Sequence, residues 1–297
     1  FETIVLPRTS QTTAFMALAA AKNPDLLIAD ARTNLSCDML MRIRQRTGIV
    51  AVIDDSTDRR LAATHAYYPP APQLETLSWK GARTIVRSGW EWALLGFDPA
   101  RLPVKPATRN PARPTIAVSM GGSDPLELTR LAARALAKIT VPYRARFIIG
   151  PGFRNAPGLA REIEAMSPAF EIVHGVNDLG AEFSGADLAL VTFGVTAYEL
   201  AALGVPALYL ALSDDHALSA SSFEKGGMGT VLGLGRILRA EDIARKCWQL
   251  LQDEDRRRDM RAAGLTTIDG LAGNRIAADL ASALAQARAS TQAAASR

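Results

Sequence analysis

The stretch Asp187-Leu-Ala-Leu-Val-Thr-Phe-Gly-Val-Thr-Ala-Tyr-Glu199, continued by Leu-Ala-Ala-Leu-Gly-Val-Pro206, decides the fold class. Leu188–Thr192 is apolar at consecutive positions, without polar alternation. Such a strand must be covered on both faces, as in a parallel sheet flanked by helices. Phe193-Gly194 breaks the strand, and Val195–Leu203 then reads as a helix. Gly204 and Pro206 stop that helix, and Ala207–Leu210 is apolar again. Strand, helix and strand in so short a span make a βα unit. The same rhythm runs outward in both directions. Strands are predicted at Thr3–Leu6, Leu26–Asp30, Val50–Asp54, Thr84–Arg87, Thr115–Met120, Ala145–Gly150, Glu171–His174 and Thr230–Leu234. Helices are predicted at Gln11–Ala21, Leu35–Arg46, Leu126–Ile139, Ala240–Gln252 and Arg275–Gln286. The class is α/β.

Composition narrows the function. The chain has 297 residues, 48% of them hydrophobic and 22% charged, which is ordinary for a packed globular protein and excludes a disordered or disulfide-stapled one. A net charge of +4, with acids and bases interspersed, is too mild for a nucleic-acid binder, and 6% aromatics is thin for base stacking. The longest apolar stretch is punctuated by Asp187, Gly194, Glu199, Gly204 and Pro206, so it is not a membrane span. Two distant cysteines, Cys37 and Cys247, read as reduced thiols of a cytoplasmic protein.

Five prolines and four basic residues crowd positions 99–114, where helix is disfavoured. This marks a linker between a first domain, 1–98, and a second, 115–285. The first looks one or two βα units short. The remainder, 286–297, is polar and repetitive and reads as a frayed tail.

Several strand-to-helix turns carry chemistry. In Val118-Ser-Met-Gly-Gly-Ser-Asp-Pro125 the glycines permit close approach of a ligand, Ser123 or Asp124 can cap the helix, and free helix amides suit a phosphate. Phe193-Gly194-Val195-Thr196 is a second such turn. Glu199 lies one and a half turns into an otherwise apolar helix, where a carboxylate needs a partner. Ser213-Asp-Asp-His216 ends another strand, at the edge where open α/β sheets bind ligands. Gly150-Pro-Gly-Phe153 and Gly175-Val-Asn-Asp-Leu179 read as turns and caps. Asp54-Asp55 is a weak acid/base or metal candidate and more simply a cap. His65 and His174 read as partly buried imidazoles. No Cys/His spacing fits zinc, and no carboxylate cluster fits magnesium.

Taken in order, GGSD, GPG, VNDL, ADLALVTFGVTAYELAALGVP, DDH and Asp269-Gly-Leu-Ala-Gly-Asn-Arg275 resemble the UDP-sugar hydrolases of the pseudaminic acid pathway (the PseG type) and the related SpsG-type polysaccharide-biosynthesis proteins. Asp25-Leu-Leu-Ile-Ala-Asp30, Val52-Ile-Asp-Asp55 and Gly89-Trp-Glu-Trp-Ala-Leu-Leu95 extend the resemblance into the first domain, so that it covers most of 25–285. Those families are similar in fold to GT-B glycosyltransferases of the MurG type. The resemblance implies two Rossmann-like domains with the nucleotide mainly on the second. It implies that Gly121, Gly122 and Ser123 line the cleft near the diphosphate, and that Val176 and Leu179 meet the uracil. Phe193, Gly194, Val195 and Thr196 would hold the diphosphate, Glu199 the ribose diol, and Asp214 with His216 would face the sugar. The implied reaction is inverting attack of water at the anomeric carbon of a UDP-activated deoxy amino sugar, with UDP leaving and no cofactor or metal.

This chain departs from the family in one respect. The family's Gly-His pair followed by Arg, near its N-terminus, has no counterpart here, and Ala31-Arg32 stand where relatives often carry tyrosine. The resemblance therefore implies a first domain lacking its N-terminal segment, or a relative without hydrolase chemistry. Asp214 and His216 remain the catalytic candidates. The alternatives are a GT-B glycosyltransferase using a UDP-sugar donor and a noncatalytic sugar-nucleotide-binding protein. The ligand is a UDP-sugar in each case, with no nucleic-acid partner, and the oligomeric state stays open.

Overall fold

A computed structural model describes residues 3–6, 10–30, 35–98, 112–176 and 178–295. The chain divides into two compact units. One comprises Phe1–Ala93 with Leu271–Arg297, the other Leu94–Gly270.

In the first unit, α1 (Gln11–Lys22) precedes β1 (Leu26–Ala29). Then follow α2 (Cys37–Thr47), β2 (Ile49–Ile53), α3 (Arg59–Ala62), β3 (His65–Tyr68) and β4 (Ile85–Ser88). All strands are parallel, in the order β1-β2-β3-β4. β2 is buried along nearly its whole length because helices cover both faces. On one face Leu40 and Ile43 of α2 pack with Val50, Val52 and Tyr68. On the other, Ile276 and Leu280 of the last helix, α11 (Ala272–Ala295), pack with Ile49, Ala51 and Tyr67.

Several sequence expectations change here. Thr3–Leu6 is not a strand, and Val5 is 89% exposed, because these residues join no sheet ladder. β3 was not anticipated: His, Ala, Tyr and Tyr do not read as a buried strand, yet all four are buried. Burial is tolerated because Tyr68 donates to Asp55 O at 2.7 Å and Tyr67 to Asp279 Oδ2 at 3.0 Å. Residues 271–285 belong with the first unit instead of the second. Positions 286–295 continue α11 rather than fraying, and Arg288 pairs with Asp25 at 2.6 Å. Of the expected linker, 99–111 lies outside the described residues, as do Ala31-Arg32, and the boundary between the units falls at Ala93/Leu94.

The second unit runs β5 (Thr115–Ser119), α4 (Leu128–Leu136), β6 (Arg144–Ile149), α5 (Ala156–Glu164) and β7 (Phe170–His174). It continues with α6 (Leu179–Ser184), β8 (Leu188–Thr192), α7 (Val195–Ala202), β9 (Ala207–Ala211), α8 (Asp214–Lys225), β10 (Gly229–Leu234), α9 (Ala240–Gln252) and α10 (Glu254–Thr267). The sheet is parallel throughout, in the order β10-β9-β8-β5-β6-β7. β8 and β9 are buried at every position. In α4, Leu128, Ala132, Ala135 and Leu136 form one buried face, packed with Ile243, Cys247 and Leu251 of α9. α7 is buried over its last six residues, which is why its sequence is apolar on all sides. Gly264 of α10 lets the two backbones meet there, since a Cβ at that position would stand 2.5 Å from Ala201 O. His174 is exposed at the end of β7 rather than partly buried. Cys37 and Cys247 are free thiols. Among the described residues no helix is long and apolar enough to cross a membrane.

Candidate functional site

The strand order of the second sheet locates its crevice. β5 leads by α4 to β6 on one side, while β8, entered from α6, lies on the other side of β5. Successive connections thus leave β5 in opposite directions, and the carboxyl ends of β5 and β8 flank the topological switch point. Open α/β sheets bind ligands at such points.

The two glycine turns sit there. Gly121 has a φ of 79°, and a Cβ on it would lie 3.7 Å from Thr192 Oγ1, so the turn after β5 touches the end of β8. Gly122 accepts a hydrogen bond through its carbonyl from Gly152 N–H at 2.9 Å. A Cβ at Gly150 would stand 2.5 Å from Gly122 O, so the glycines of the GPG turn allow the two loops to pack. Ser123 is exposed and does not cap α4. Asp124 does: it is buried with φ 43°, and its two carboxylate oxygens accept from Leu128 N–H and Thr129 N–H, each at 2.8 Å. Left-handed backbone at Asp124 and Glu127 also delays the helix to Leu128, so Pro125 lies outside its first turn. These two helix amides are satisfied by the chain's own carboxylate.

The turn after β8 differs. Gly194 is the N-cap of α7 and has no side chain to bond the helix amides. Val195 is 58% exposed and Thr196 half-buried, whereas Phe193 is buried. The Phe193 ring packs among Tyr198, Tyr209, Phe223 and His216, with centroids 5.4 to 6.3 Å away. Its side chain therefore serves the core, and only its backbone faces the turn. His216 meets the Phe193 ring edge-on at 6.3 Å, which joins the DDH turn to the glycine turn. Ser213 caps α8 by accepting from His216 N–H at 3.2 Å. The Asp214 side chain is 86% exposed, 3.9 Å from Arg236. Val176 is half-buried and Leu179 exposed, both beyond β7 at the sheet edge, and α6 packs on α7. Asp178 caps α6 through Ala181 N–H at 3.0 Å.

Glu199 is 5% exposed. Its Oε1 accepts from Gly96 N–H at 3.2 Å. Burial pushes its pKa above the ordinary carboxylate value, and the Gly96 N–H acts the other way. Of the sequence candidates, then, Gly121, Gly122, Phe193, Gly194, Val195, Thr196 and His216 cluster around the β5, β8 and β9 ends.

No protein-family model matches the chain. Over 281 residues it is 24% identical to the spore coat polysaccharide biosynthesis protein SpsG of Bacillus subtilis, covering 91% of this chain and 80% of that protein. Among solved structures it resembles a Listeria monocytogenes protein assigned as a UDP-N-acetylglucosamine 2-epimerase (TM-score 0.69, 14% identity, 96% of this chain and 83% of that one). It also resembles MurG of Acinetobacter baumannii (TM-score 0.62, 15% identity, 93% and 80%). A third is Anabaena HepE in complex with UDP and glucose (TM-score 0.61, 14% identity, 94% and 84%). The fold is of the GT-B kind.

Other parts of the molecule offer less. Asp55 in the first unit is a structural group, accepting from Thr57 N–H and Oγ1 and pairing with buried Arg59 at 2.6 Å. His65 is buried beside Thr64 Oγ1 at 3.0 Å, and burial lowers its pKa. A shallow groove at the carboxyl end of α4, lined by Arg134, Lys138, Met166 and Glu241, lies away from the turns. Sequence reasoning missed Gly96, and it left the cap of α4 open between Ser123 and Asp124, of which the structure takes Asp124. Gly96 and Glu199 are 103 positions apart, and no local pattern links them.

Proposed function

We propose that this chain is a UDP-sugar enzyme of surface polysaccharide or flagellin glycan biosynthesis, with its nucleotide seated at the β5/β8 switch point. The observation that carries the reading is Glu199, a buried carboxylate five residues past Gly194, whose turn at that point has no side-chain cap. A buried carboxylate is costly without partners, and a ribose diol supplies two donors. Val195 and Thr196 would present backbone N–H groups to the diphosphate, since Gly194 leaves that helix end open. Gly121, Gly122 and Ser123 would form the opposite wall and admit the diphosphate close to the backbone. Val176 and Leu179 would frame the uracil, and Asp214 with His216 would face the sugar. With two α4 amides already bonded to Asp124, most of the phosphate stabilisation would fall to the α7 end. Charge developing on the departing UDP would be stabilised there.

In the finer reading the chain is a PseG-like hydrolase. Water attacks the anomeric carbon of a UDP-activated deoxy amino sugar with inversion, the bond from that carbon to the diphosphate breaks, and UDP leaves. His216 or Asp214 would activate the water. The SpsG likeness supports a role in polysaccharide biosynthesis. A second reading, transfer of the sugar to an acceptor, is supported by similar structures named as transferases, such as the pneumococcal O-GlcNAc transferase GtfA with UDP and GlcNAc. The two free thiols favour a cytoplasmic setting.

The deciding experiment incubates the protein with UDP-amino sugars and follows UDP and reducing sugar, with and without chelator. Equal release of both supports hydrolysis. Release of UDP only when an acceptor is added supports transfer. Absence of UDP release and of UDP binding in calorimetry overturns both.

A further inference from the structure

The motif Gly89-Trp-Glu-Trp-Ala-Leu-Leu95 runs directly into Gly96, the donor to Glu199. Gly96 belongs to the second unit, which begins at Leu94, as does Glu199. Its N–H donates to Glu199 Oε1 at 3.2 Å. A Cβ at residue 96 would stand 2.8 Å from that same oxygen, closer than real Cβ atoms come. Gly96 is not in the left-handed region, so its backbone conformation does not demand glycine. The close approach of the carboxylate does. Helix neighbours of Glu199, namely Ala197, Leu200 and Ala201, are apolar and cannot orient a carboxylate. A carboxylate has about four acceptor positions. With one taken by Gly96, Oε2 and the remaining lone pair of Oε1 can face a diol.

We propose that Gly96 is a positioning residue for the nucleotide site, orienting the Glu199 carboxylate through its N–H and leaving room for it by having no side chain. This rests on the reading that Glu199 takes the ribose. Burial and the Gly96 N–H act in opposite directions on the pKa of Glu199, so the same bond also favours the charged form that a diol needs. The obstructing atom for a methyl at residue 96 is the far end of a flexible side chain. Gly96→Ala therefore keeps the fold and moves the carboxylate.

The test is calorimetry with UDP and 2′-deoxy-UDP on the wild type, Gly96→Ala, Glu199→Ala and the double variant. The wild type should prefer UDP by about tenfold, the scale of one hydrogen bond to a charged group. Gly96→Ala and Glu199→Ala should each bring the ratio close to one, and the double variant should add nothing. A purely structural role would weaken both ligands equally and leave the ratio intact. If Glu199→Ala discriminates like the wild type, the ribose reading fails. If Glu199→Ala loses discrimination while Gly96→Ala keeps it, the ribose reading stands and the role of Gly96 is overturned. Hydrogen exchange decides the matter should Gly96→Ala not fold. The Gly96 amide should exchange slowly in the wild type and at least tenfold faster in Glu199→Ala, and equal rates overturn the proposal.

Discussion

Two buried carboxylates show how environment assigns a role. Asp55 is spent internally, on Thr57 and on Arg59 with side chains 6% and 9% exposed. Asp55→Ala removes the carboxylate that pairs with the buried Arg59 guanidinium, and the expected loss is about 3–5 kcal/mol in denaturant unfolding. Glu199 has Gly96 N–H as its described donor and sits beside an open helix end. Its pKa is raised, chiefly by burial, so the charged form is present only above a pH higher than the ordinary glutamate value of about 4.3. As pH falls through that raised value, preference for UDP over 2′-deoxy-UDP should decline. Glu199→Gln should show a flat, weak preference over the same range. Calorimetry at stepped pH reads both. The sequence raised Glu199 because it stands alone among Ala, Leu and Tyr. It had no means of raising Gly96, since their contact exists only after the sheet has formed.

At the scale of elements, the two glycine turns look alike in sequence and differ in structure. Asp124 closes the amino end of α4 with two hydrogen bonds, whereas Gly194 leaves that of α7 open. Asp124→Ala should cost about 1–2 kcal/mol, the scale of a lost helix cap, whereas Ser123→Ala should be nearly neutral. Thermal unfolding of the two variants checks this. Local sequence allowed either Ser123 or Asp124 as the cap. The choice was made by the left-handed conformations at Asp124 and Glu127, which push the helix start to Leu128 and bring the Asp124 carboxylate under its amides.

At the scale of the molecule, α11 joins the far end of the chain to the first sheet. Ile276 and Leu280 cover Ile49, Ala51 and Tyr67, while Asp279 accepts from Tyr67 OH and from Arg87 Nε at 3.1 Å. The Asp279 pKa is lowered, first by the Arg87 hydrogen bond. A depressed carboxylate contributes stability above the ordinary aspartate value of about 3.9, and that stability is lost as pH falls through the depressed pKa. Arg87 is partly exposed, so solvent screens the charge contribution. Asp279→Ala should therefore cost about 1–3 kcal/mol at neutral pH, mostly through the Tyr67 hydroxyl left without its acceptor. It should also flatten the acid limb of the stability curve, read by urea unfolding from neutral to acidic pH. Deleting 271–297 uncovers the sheet face at Ile49 and Ala51, and dye binding to exposed apolar surface should rise accordingly.

The sequence by itself determined the α/β class, the six strands of the second unit with its helices α4, α7 and α9, and the glycine turns that follow β5 and β8. These are local properties. Consecutive apolar positions require cover on both faces, and glycines after a strand permit tight βα turns. Tertiary structure alone decided the strand order that makes β5 and β8 neighbours, and so brought Gly121 against Thr192. It alone revealed β3, because buried tyrosines depend on acceptors at Asp55 and on a helix more than two hundred residues away. It alone gave α11 to the first unit and the Glu199 carboxylate to Gly96. Each of these is a contact between residues far apart in the chain, and periodicity carries no information about distant partners.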